Sequence, residues 1–236
     1  MVTLVLLPGM DGTGTLFESF VTALGGEFKI KVVTYPADEP LAYAELESIA
    51  RDAIPAEGPL ILLGESFSGP IAVSLAATHA SRVKGLILCC TFIRNPRPIF
   101  STFKSLAGMV PVGLIPLGLI GHFLLGRFDT PSLRRAIRQA LAPVTPSTLR
   151  ARLLAVISVD VSAKLASIQS PVLYLRGTQD RVVPLDAYAL VSQIRPSTKL
   201  ISLDAPHCLL QTVPSEAALV VGAFVRDLEK AEPSPL

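Results

Sequence analysis

The sequence is poor in charged residues and has no strong excess of either sign. Charged residues make up 17% of the 236 positions and hydrophobic residues 50%, a composition that excludes general disorder. The 21 Lys and Arg residues nearly balance the 19 Asp and Glu residues, so we expect no nucleic acid as a partner. The length suits one domain with a full core.

Cysteine and histidine are too scarce for a disulfide framework or a dedicated zinc site. The three cysteines are the adjacent Cys89 and Cys90, which we expect to be reduced core residues, and the single Cys208. The three histidines are scattered at positions 79, 122 and 207. We therefore expect neither a metal ion nor a cofactor.

A signal peptide is not indicated, and neither is a membrane span. The start, MVTLVLLPGMDGTG, lacks basic residues and reaches glycine early, which predicts a core strand of a cytoplasmic protein; a secreted protein without its leader is the alternative. The uncharged stretch at 105–126 is long enough to cross a bilayer. A crossing would put strands of one sheet on opposite sides, and Pro111 and Pro116 break the run, so we reject a span.

Short apolar runs alternate with helical patterns along most of the chain. Continuous apolar runs fit strands of a parallel sheet that is buried on both faces, and the alternation predicts a doubly wound α/β domain. The predicted strands are Val2–Leu7, Lys29–Tyr35, Leu60–Leu63, Gly85–Cys90, Val172–Leu175 and Lys199–Leu203. The predicted helices are Thr15–Leu24, Leu41–Ile54, Phe67–Thr78, Leu185–Ile194 and Glu216–Glu229.

The interval between Thr91 and Ser170 contains no convincing strand. We interpret residues 94–167 as an apolar helical cap inserted over the carboxyl edge of the sheet, and residues 1–93 and 168–236 as the core. A cap surface that also makes peripheral contact with lipid is the alternative. Three arginines at helical spacing predict a solvated face of this cap: Arg134, Arg135 and Arg138.

A tight turn between a strand and a helix contains the candidate nucleophile, Ser66. The strand runs into GESFSGP at 64–70, and a serine at the apex of such a turn has a strained backbone and an exposed hydroxyl. Gly64 is the small neighbour that the turn needs on one side. Ser68 stands where glycine is usual on the other side, with Gly69 one residue later. An ordinary turn serine that caps a helix is the alternative.

This segment resembles the nucleophile elbow of the α/β-hydrolase superfamily, whose acid and histidine follow the serine in that order. The resemblance implies Asp180, in the GTQDRVVP loop after an apolar strand, as the acid that orients the imidazole. It implies His207, just past the last strand, as the base that takes the proton of Ser66. A turn or cap role is the alternative for this acid. Weaker candidates for the acid lie outside that loop: Asp160, Asp186 and Asp204.

The superfamily's usual early antiparallel hairpin has no counterpart in this sequence, so we expect a mostly parallel sheet of about six strands. The resemblance also implies two backbone donors for an oxyanion. One donor is the N–H of Phe67, and the other is the N–H of Met10 in the loop PGMDGTG at 8–14. Pro8 stands there in place of the superfamily's common histidine. The loop's glycines also suggest phosphate binding, but it has no lysine and the wrong glycine spacing, so nucleotide binding is disfavoured.

We expect a serine carboxylic-ester hydrolase that forms an acyl-enzyme on a small ester with an apolar acyl or alcohol part. Acyl transfer or thioester hydrolysis by the same triad is one alternative, since LLPGMDGTG is also similar to plant acyltransferase-like members of the superfamily. A catalytically silent small-molecule binding protein of the same fold is the other. The expected substrate contacts are Gly9, Asp11, Phe103, Met109 and His122.

Overall fold

A computed structural model of the protein describes residues 2–97 and 117–231. Six parallel strands form one sheet in the order β2-β1-β3-β4-β5-β6. The strands are β1 (Thr3–Leu7), β2 (Lys29–Val32), β3 (Leu60–Glu65), β4 (Val83–Cys89), β5 (Val172–Gly177) and β6 (Lys199–Leu203). The helices before β5 are α1 (Glu18–Ala23), α2 (Tyr43–Ala53), α3 (Gly69–Thr78), α4 (Leu117–Leu125), α5 (Pro131–Leu141), α6 (Pro146–Ser158) and α7 (Ser162–Ser167). The helices after β5 are α8 (Leu185–Ile194), α9 (Leu209–Thr212) and α10 (Pro214–Ala231).

The burial of each strand follows its place in the sheet. The inner strands β1 and β3 are buried at every residue, because helices cover both faces of the sheet. The edge strands β2 and β6 include exposed residues and each begins with a lysine. This architecture of six parallel strands flanked by helices confirms the predicted fold class.

Two apolar clusters lie on the two faces of the sheet. Alternate residues of β3 enter different clusters, with Leu62 on one face and Ile61 on the other. The first cluster includes side chains of α2, α3, α7 and α8, and the second includes side chains of α1, α9 and α10. All three cysteines are buried and unpaired.

Two predicted element boundaries are wrong at places that matter for the site. The predicted strand Lys29–Tyr35 ends at Val32, because the N–H of Tyr35 donates to Gly12 O in the loop after β1 at 2.8 Å. The predicted helix Phe67–Thr78 begins at Gly69, after a single 3-10 turn over Ser66–Ser68.

The predicted cap region is helical within the described residues. Between β4 and β5 those residues contain one isolated bridge, Arg94 to Asp160, and no strand. Helices α4 and α5 share a small apolar cluster with Cys208, beside the candidate base. Helix α7 instead packs on α3 and α8, and its Leu165 lies in the first sheet-covering cluster, so part of the region 94–167 lies in the core layer.

The polar surface of the region 94–167 is on α5. Arg134, Arg135 and Arg138 are exposed there, as the predicted solvated face requires. Among the described residues, no helix combines the length and the apolar character needed to cross a bilayer. Phe103, Met109 and most of the uncharged stretch at 105–126 lie outside those residues.

We predict that Leu165→Ala lowers the free energy of unfolding by about 2–5 kcal/mol, because the leucine is 0% exposed and its loss leaves a cavity in the core. The matched control is Leu219→Ala on α10, where the leucine is 69% exposed, and its effect should stay within about 0.5 kcal/mol. Urea denaturation of both variants measures the two values. Equal effects would show that α7 is not part of the core layer.

Candidate active site

The turn between β3 and α3 holds Ser66 in a strained conformation. Its φ is 47°, in the left-handed region that residues other than glycine rarely adopt. Gly64 permits the close approach of strand and helix, since a Cβ there would lie 2.7 Å from both Ala72 Cβ and Ser68 O. The hydroxyl of Thr91, just after β4, donates to Ser66 O and supports the turn.

The structure brings Ser66, His207 and Asp180 into one hydrogen-bonded line. Ser66 Oγ lies 2.8 Å from His207 Nε2, and His207 Nδ1 lies 2.9 Å from Asp180 Oδ2. The carboxylate favours a proton on Nδ1, so Nε2 is left as the acceptor for the hydroxyl of Ser66. The side chains of His207 and Asp180 are 6% and 2% exposed, which keeps water away from their contact.

The loop after β5 stabilises Asp180 as a carboxylate. Burial raises its pKa, but the charge and hydrogen bond of His207, together with the N–H groups of Val183 and Val182, outweigh burial. Those two N–H groups donate to Asp180 Oδ1 at 2.9 and 2.8 Å. The net result is a pKa below the usual value, so Asp180 stays charged beside the imidazole.

Two of the competing acidic residues, Asp204 and Asp160, have other partners. Asp204 pairs with Arg127 at the surface, and Asp160 accepts from the backbone N–H of Ser162 at 2.9 Å. Asp186 lies in the first turn of α8. Within the described residues, no group of His, Cys, Asp and Glu side chains is arranged to hold a metal ion.

Ser68, which departs from the usual glycine, is fully buried and links three parts of the site. Its hydroxyl donates to Pro8 O in the loop after β1 and lies 2.9 Å from the hydroxyl of Tyr35. Because the single proton of Ser68 goes to Pro8, Tyr35 must donate to Ser68 Oγ. Gly69 supplies the small residue one position later, where any Cβ would collide with Thr91.

The loop at 8–14, which contains the predicted oxyanion donor Met10, is held by its own hydrogen bonds. Gly12 N donates to Gly9 O at 3.1 Å and closes a turn, and Gly12 has a φ of 72°. The predicted substrate contact Asp11 is buried, and its carboxylate accepts from the N–H and hydroxyl of Thr13 at 2.9 and 2.6 Å. Gly9 is also buried, whereas Met10 is half-buried.

The predicted contact His122 lies on the exposed surface of α4. Its Nε2 is 2.8 Å from Nη1 of Arg181, the residue that follows Asp180. This places the ring beside the acid loop. His79, at the end of α3, is half-buried and bonded to Thr78.

Sequence reasoning missed four side chains that support these residues. Tyr35 bonds Ser68, Tyr43 donates to Phe67 O at 2.9 Å, and Arg152 donates to the loop at 8–14. The fourth is Glu65, directly before Ser66. A possible signal for Glu65 was its charge at the end of an otherwise apolar strand; the other three show no local pattern.

Glu65 is a buried carboxyl group whose Oε1 accepts from Gln211 Nε2 at 2.9 Å. Burial is the largest influence and raises its pKa; the nearby charge of Asp11 raises it further, while Gln211 and His207 lower it, with a net value of about 7. Its protonation therefore changes near neutral pH, beside Gly9 of the loop at 8–14, where a Cβ would lie 3.9 Å from Glu65 Oε2.

Comparison with known proteins places these features in context. Residues 4–221 match the sequence profile described as "Alpha/beta hydrolase family". The polyketide synthase ThaQ of Burkholderia thailandensis is 28% identical in an alignment of 247 residues that covers 96% of this chain and 12% of the synthase. The chain thus spans about an eighth of the length of that relative.

A shorter relative matches over nearly its whole length. The pimeloyl-[acyl-carrier protein] methyl ester esterase of Aeromonas hydrophila is 26% identical in an alignment of 241 residues that covers 94% of each chain. A solved structure of the esterase EaEST from Exiguobacterium antarcticum has a TM-score of 0.80 at 16% identity, covering 96% of this chain and 92% of EaEST. The structural match supports the fold.

We predict that Ser68→Ala lowers the free energy of unfolding by about 1–3 kcal/mol, because buried Pro8 O and Tyr35 Oη both lose a partner. The double variant Ser68→Ala/Tyr35→Phe should lose less than the sum of the single effects, since it removes both hydroxyls. A urea double-mutant cycle measures this coupling. Strict additivity would mean that the two hydroxyls do not depend on each other.

We predict that Glu65→Gln changes the pH dependence of stability. Its pKa rises from 4.5 to about 7 on folding, so between these values the folded chain binds more protons than the unfolded chain. Wild-type stability should therefore fall relative to the variant as pH rises, by up to about 3 kcal/mol at pH 7 and above. Urea denaturation from pH 4 to 8 measures the difference, with Glu57→Gln at an exposed position as the matched substitution. A constant difference across this range contradicts the assignment.

Proposed function

Because the chain belongs to the alpha/beta hydrolase family, we propose that it hydrolyses carboxylic esters through a covalent acyl-enzyme on Ser66. The observation that carries the proposal is the continuous contact from Ser66 Oγ through His207 to the buried carboxylate of Asp180. The esterases among its relatives and structural neighbours support a carboxylesterase-type hydrolase.

In the proposed first half-reaction, Ser66 Oγ attacks the ester carbonyl and His207 Nε2 takes its proton. Asp180 stabilises the imidazolium that results and holds the ring in place. The N–H groups of Met10 and Phe67 stabilise the negative oxygen of the tetrahedral intermediate. Collapse breaks the ester C–O bond, and His207 gives the proton to the leaving alcohol.

In the second half-reaction, water takes the place of the alcohol. His207 removes a proton from the water, which attacks the acyl carbon of the Ser66 ester. The same two backbone donors stabilise the second tetrahedral intermediate. Its collapse releases the carboxylic acid and returns the proton to Ser66 Oγ.

The proposed substrate is a small ester with an apolar part. Helix α4, which packs beside the His207 loop through Leu124 O and the N–H of Cys208, presents exposed Leu119 and Phe123. An acyl chain linked to a carrier protein is the second candidate, because the relative that matches over 94% of its length is named for a carrier-linked methyl ester. Methyl esters of one acid, free and linked to a carrier protein, distinguish the two by their kcat/KM.

We predict that Ser66→Ala abolishes hydrolysis of short-chain p-nitrophenyl esters and labelling by a fluorophosphonate. Asp180→Asn should lower kcat by about 10⁴-fold, because the amide favours the wrong tautomer of His207. Steady-state kinetics and mass spectrometry of the labelled peptide measure these effects. Asp186→Asn is the matched control for the acid, and we expect wild-type kcat.

Two results would contradict the assignment. Stoichiometric labelling at a residue other than Ser66 would move the nucleophile elsewhere. Wild-type turnover by Asp180→Asn would move the acid to another position.

A further inference from the structure

Helix α6 carries a charged side chain on its buried face. Thr148, Arg152 and Ala155 are the buried residues of this helix, and Arg152 is 0% exposed. By contrast, the arginines of the neighbouring α5 are exposed. A fully buried guanidinium in the region 94–167 was not expected from its apolar composition.

The guanidinium of Arg152 joins two loops at the carboxyl edge of the sheet. Nη1 donates to Met10 O at 2.7 Å and to Asp11 O at 2.9 Å, in the loop after β1. Nη2 donates to Pro36 O at 2.8 Å, in the segment after β2. The planar fork of arginine allows one side chain to fix three carbonyl groups at once.

Backbone carbonyl groups, and not a bonded carboxylate, hold the guanidinium of Arg152. Burial lowers its pKa, although the nearby charge of Asp11 raises it, and its hydrogen bonds go to Met10 O, Asp11 O and Pro36 O. A charged group is costly to bury unless hydrogen bonds satisfy it. These bonds therefore stabilise the buried guanidinium, and they fix the carbonyl groups in turn.

Two of these carbonyl groups, those of Met10 and Asp11, belong to the turn that presents the proposed oxyanion donor. Gly9 O accepts from Gly12 N, and a trans peptide is planar, so the N–H of Met10 points to the opposite side from Gly9 O. Arg152 holds the next two carbonyls, those of Met10 and Asp11. Because the carbonyl groups of Gly9, Met10 and Asp11 all accept hydrogen bonds, none of these three peptides can rotate without breaking one.

The turn and Arg152 fit closely. A Cβ on Gly12 would lie 2.8 Å from Nη1, so the guanidinium packs directly on the backbone of the turn. On the other side, Ser68 donates to Pro8 O at the start of the same loop. The loop is thus held from the elbow by a hydroxyl and from α6 by a cation.

We propose that Arg152 is a positioning residue for the reaction, which fixes the turn at 9–12 so that the N–H of Met10 remains directed at the developing oxyanion. The inference rests on the proposed function. It gives the helical region a role in catalysis that does not depend on substrate contact. Because a turn that rotates loses a donor to the transition state, Arg152 acts on kcat more than on KM.

Two substitutions at Arg152 separate charge from geometry. Arg152→Met keeps the stem and removes every donor, and we expect kcat to fall about 100-fold, the size of losing one oxyanion donor, with KM within about 3-fold. Arg152→Lys keeps the charge but lacks the fork, and we expect a loss of about 10-fold. The matched control is Arg138→Met on the exposed face of α5, which should leave both constants unchanged.

A transition-state analogue provides the readout that a purely structural role would not change. The inhibition constant of an alkyl trifluoromethyl ketone, whose adduct with Ser66 bears an oxyanion, should rise by the same factor by which kcat/KM falls. If Arg152→Met does not fold, Arg152→Lys, which keeps the charge, provides the test, and a kcat within twofold of wild type in that variant likewise overturns the proposal. A folded Arg152→Met with kcat within twofold of wild type overturns the proposal.

Hydrogen exchange distinguishes failure of this inference from failure of the proposed function. Amides of residues 9–14 should exchange faster in Arg152→Met than in wild type, while those of β4 are unchanged. Equal exchange of residues 9–14 in the two proteins overturns the role of Arg152, whether or not the chain hydrolyses esters. Absence of ester hydrolysis and of Ser66 labelling in wild type overturns the proposed function, and with it the catalytic part of the inference.

Discussion

The close approach of β3 and α3 is the constraint on which the rest of the site depends. With no side chain at Gly64, the chain reverses within one 3-10 turn and places Ser66 at a φ of 47°. A residue keeps that strained conformation only where its surroundings stabilise it. Thr91, at the end of the neighbouring strand β4, does this by donating a hydrogen bond to Ser66 O. The hydroxyl therefore projects above the sheet at a position that local preference alone would not give.

Parallel strands then bring the partners of Ser66 to the same edge. Strands β1 and β3 are neighbours and β5 lies one strand further on, beyond β4, so the loops after them present the turn at 9–12, the elbow and Asp180 at one edge of the sheet. His207 follows β6 and reaches across to Ser66. Buried polar contacts join these loops, and each loop depends on its neighbour for a hydrogen-bond partner.

Local sequence patterns predicted the parts of the protein that depend on local order. Continuous apolar runs predicted all six strands, and the motif around Ser66 with the order of Asp180 and His207 predicted the three side chains that the structure brings together. The misses depend on distant pairs. Arg152 lies 142 positions from Met10, and nothing in the pattern of α6 distinguishes this arginine from a surface residue. The predicted end of β2 was wrong for the same reason, because the N–H of Tyr35 donates to Gly12 O in a distant loop and not to a neighbouring strand.

The hydroxyl of Ser68 also has a consequence for how such sites are found and how they change over evolution. Ser68 and Tyr35 are hydrogen-bond partners. Replacing the serine by the usual glycine therefore leaves the buried hydroxyl of Tyr35 without this partner, unless Tyr35 is replaced by a residue with no hydroxyl as well. The two positions should therefore drift together, with glycine accompanied by phenylalanine and serine by tyrosine. A sequence pattern that requires glycine on both sides of the nucleophilic serine misses proteins of this kind. A pattern that also accepts serine when a tyrosine lies 33 positions earlier, as Tyr35 does before Ser68, finds them.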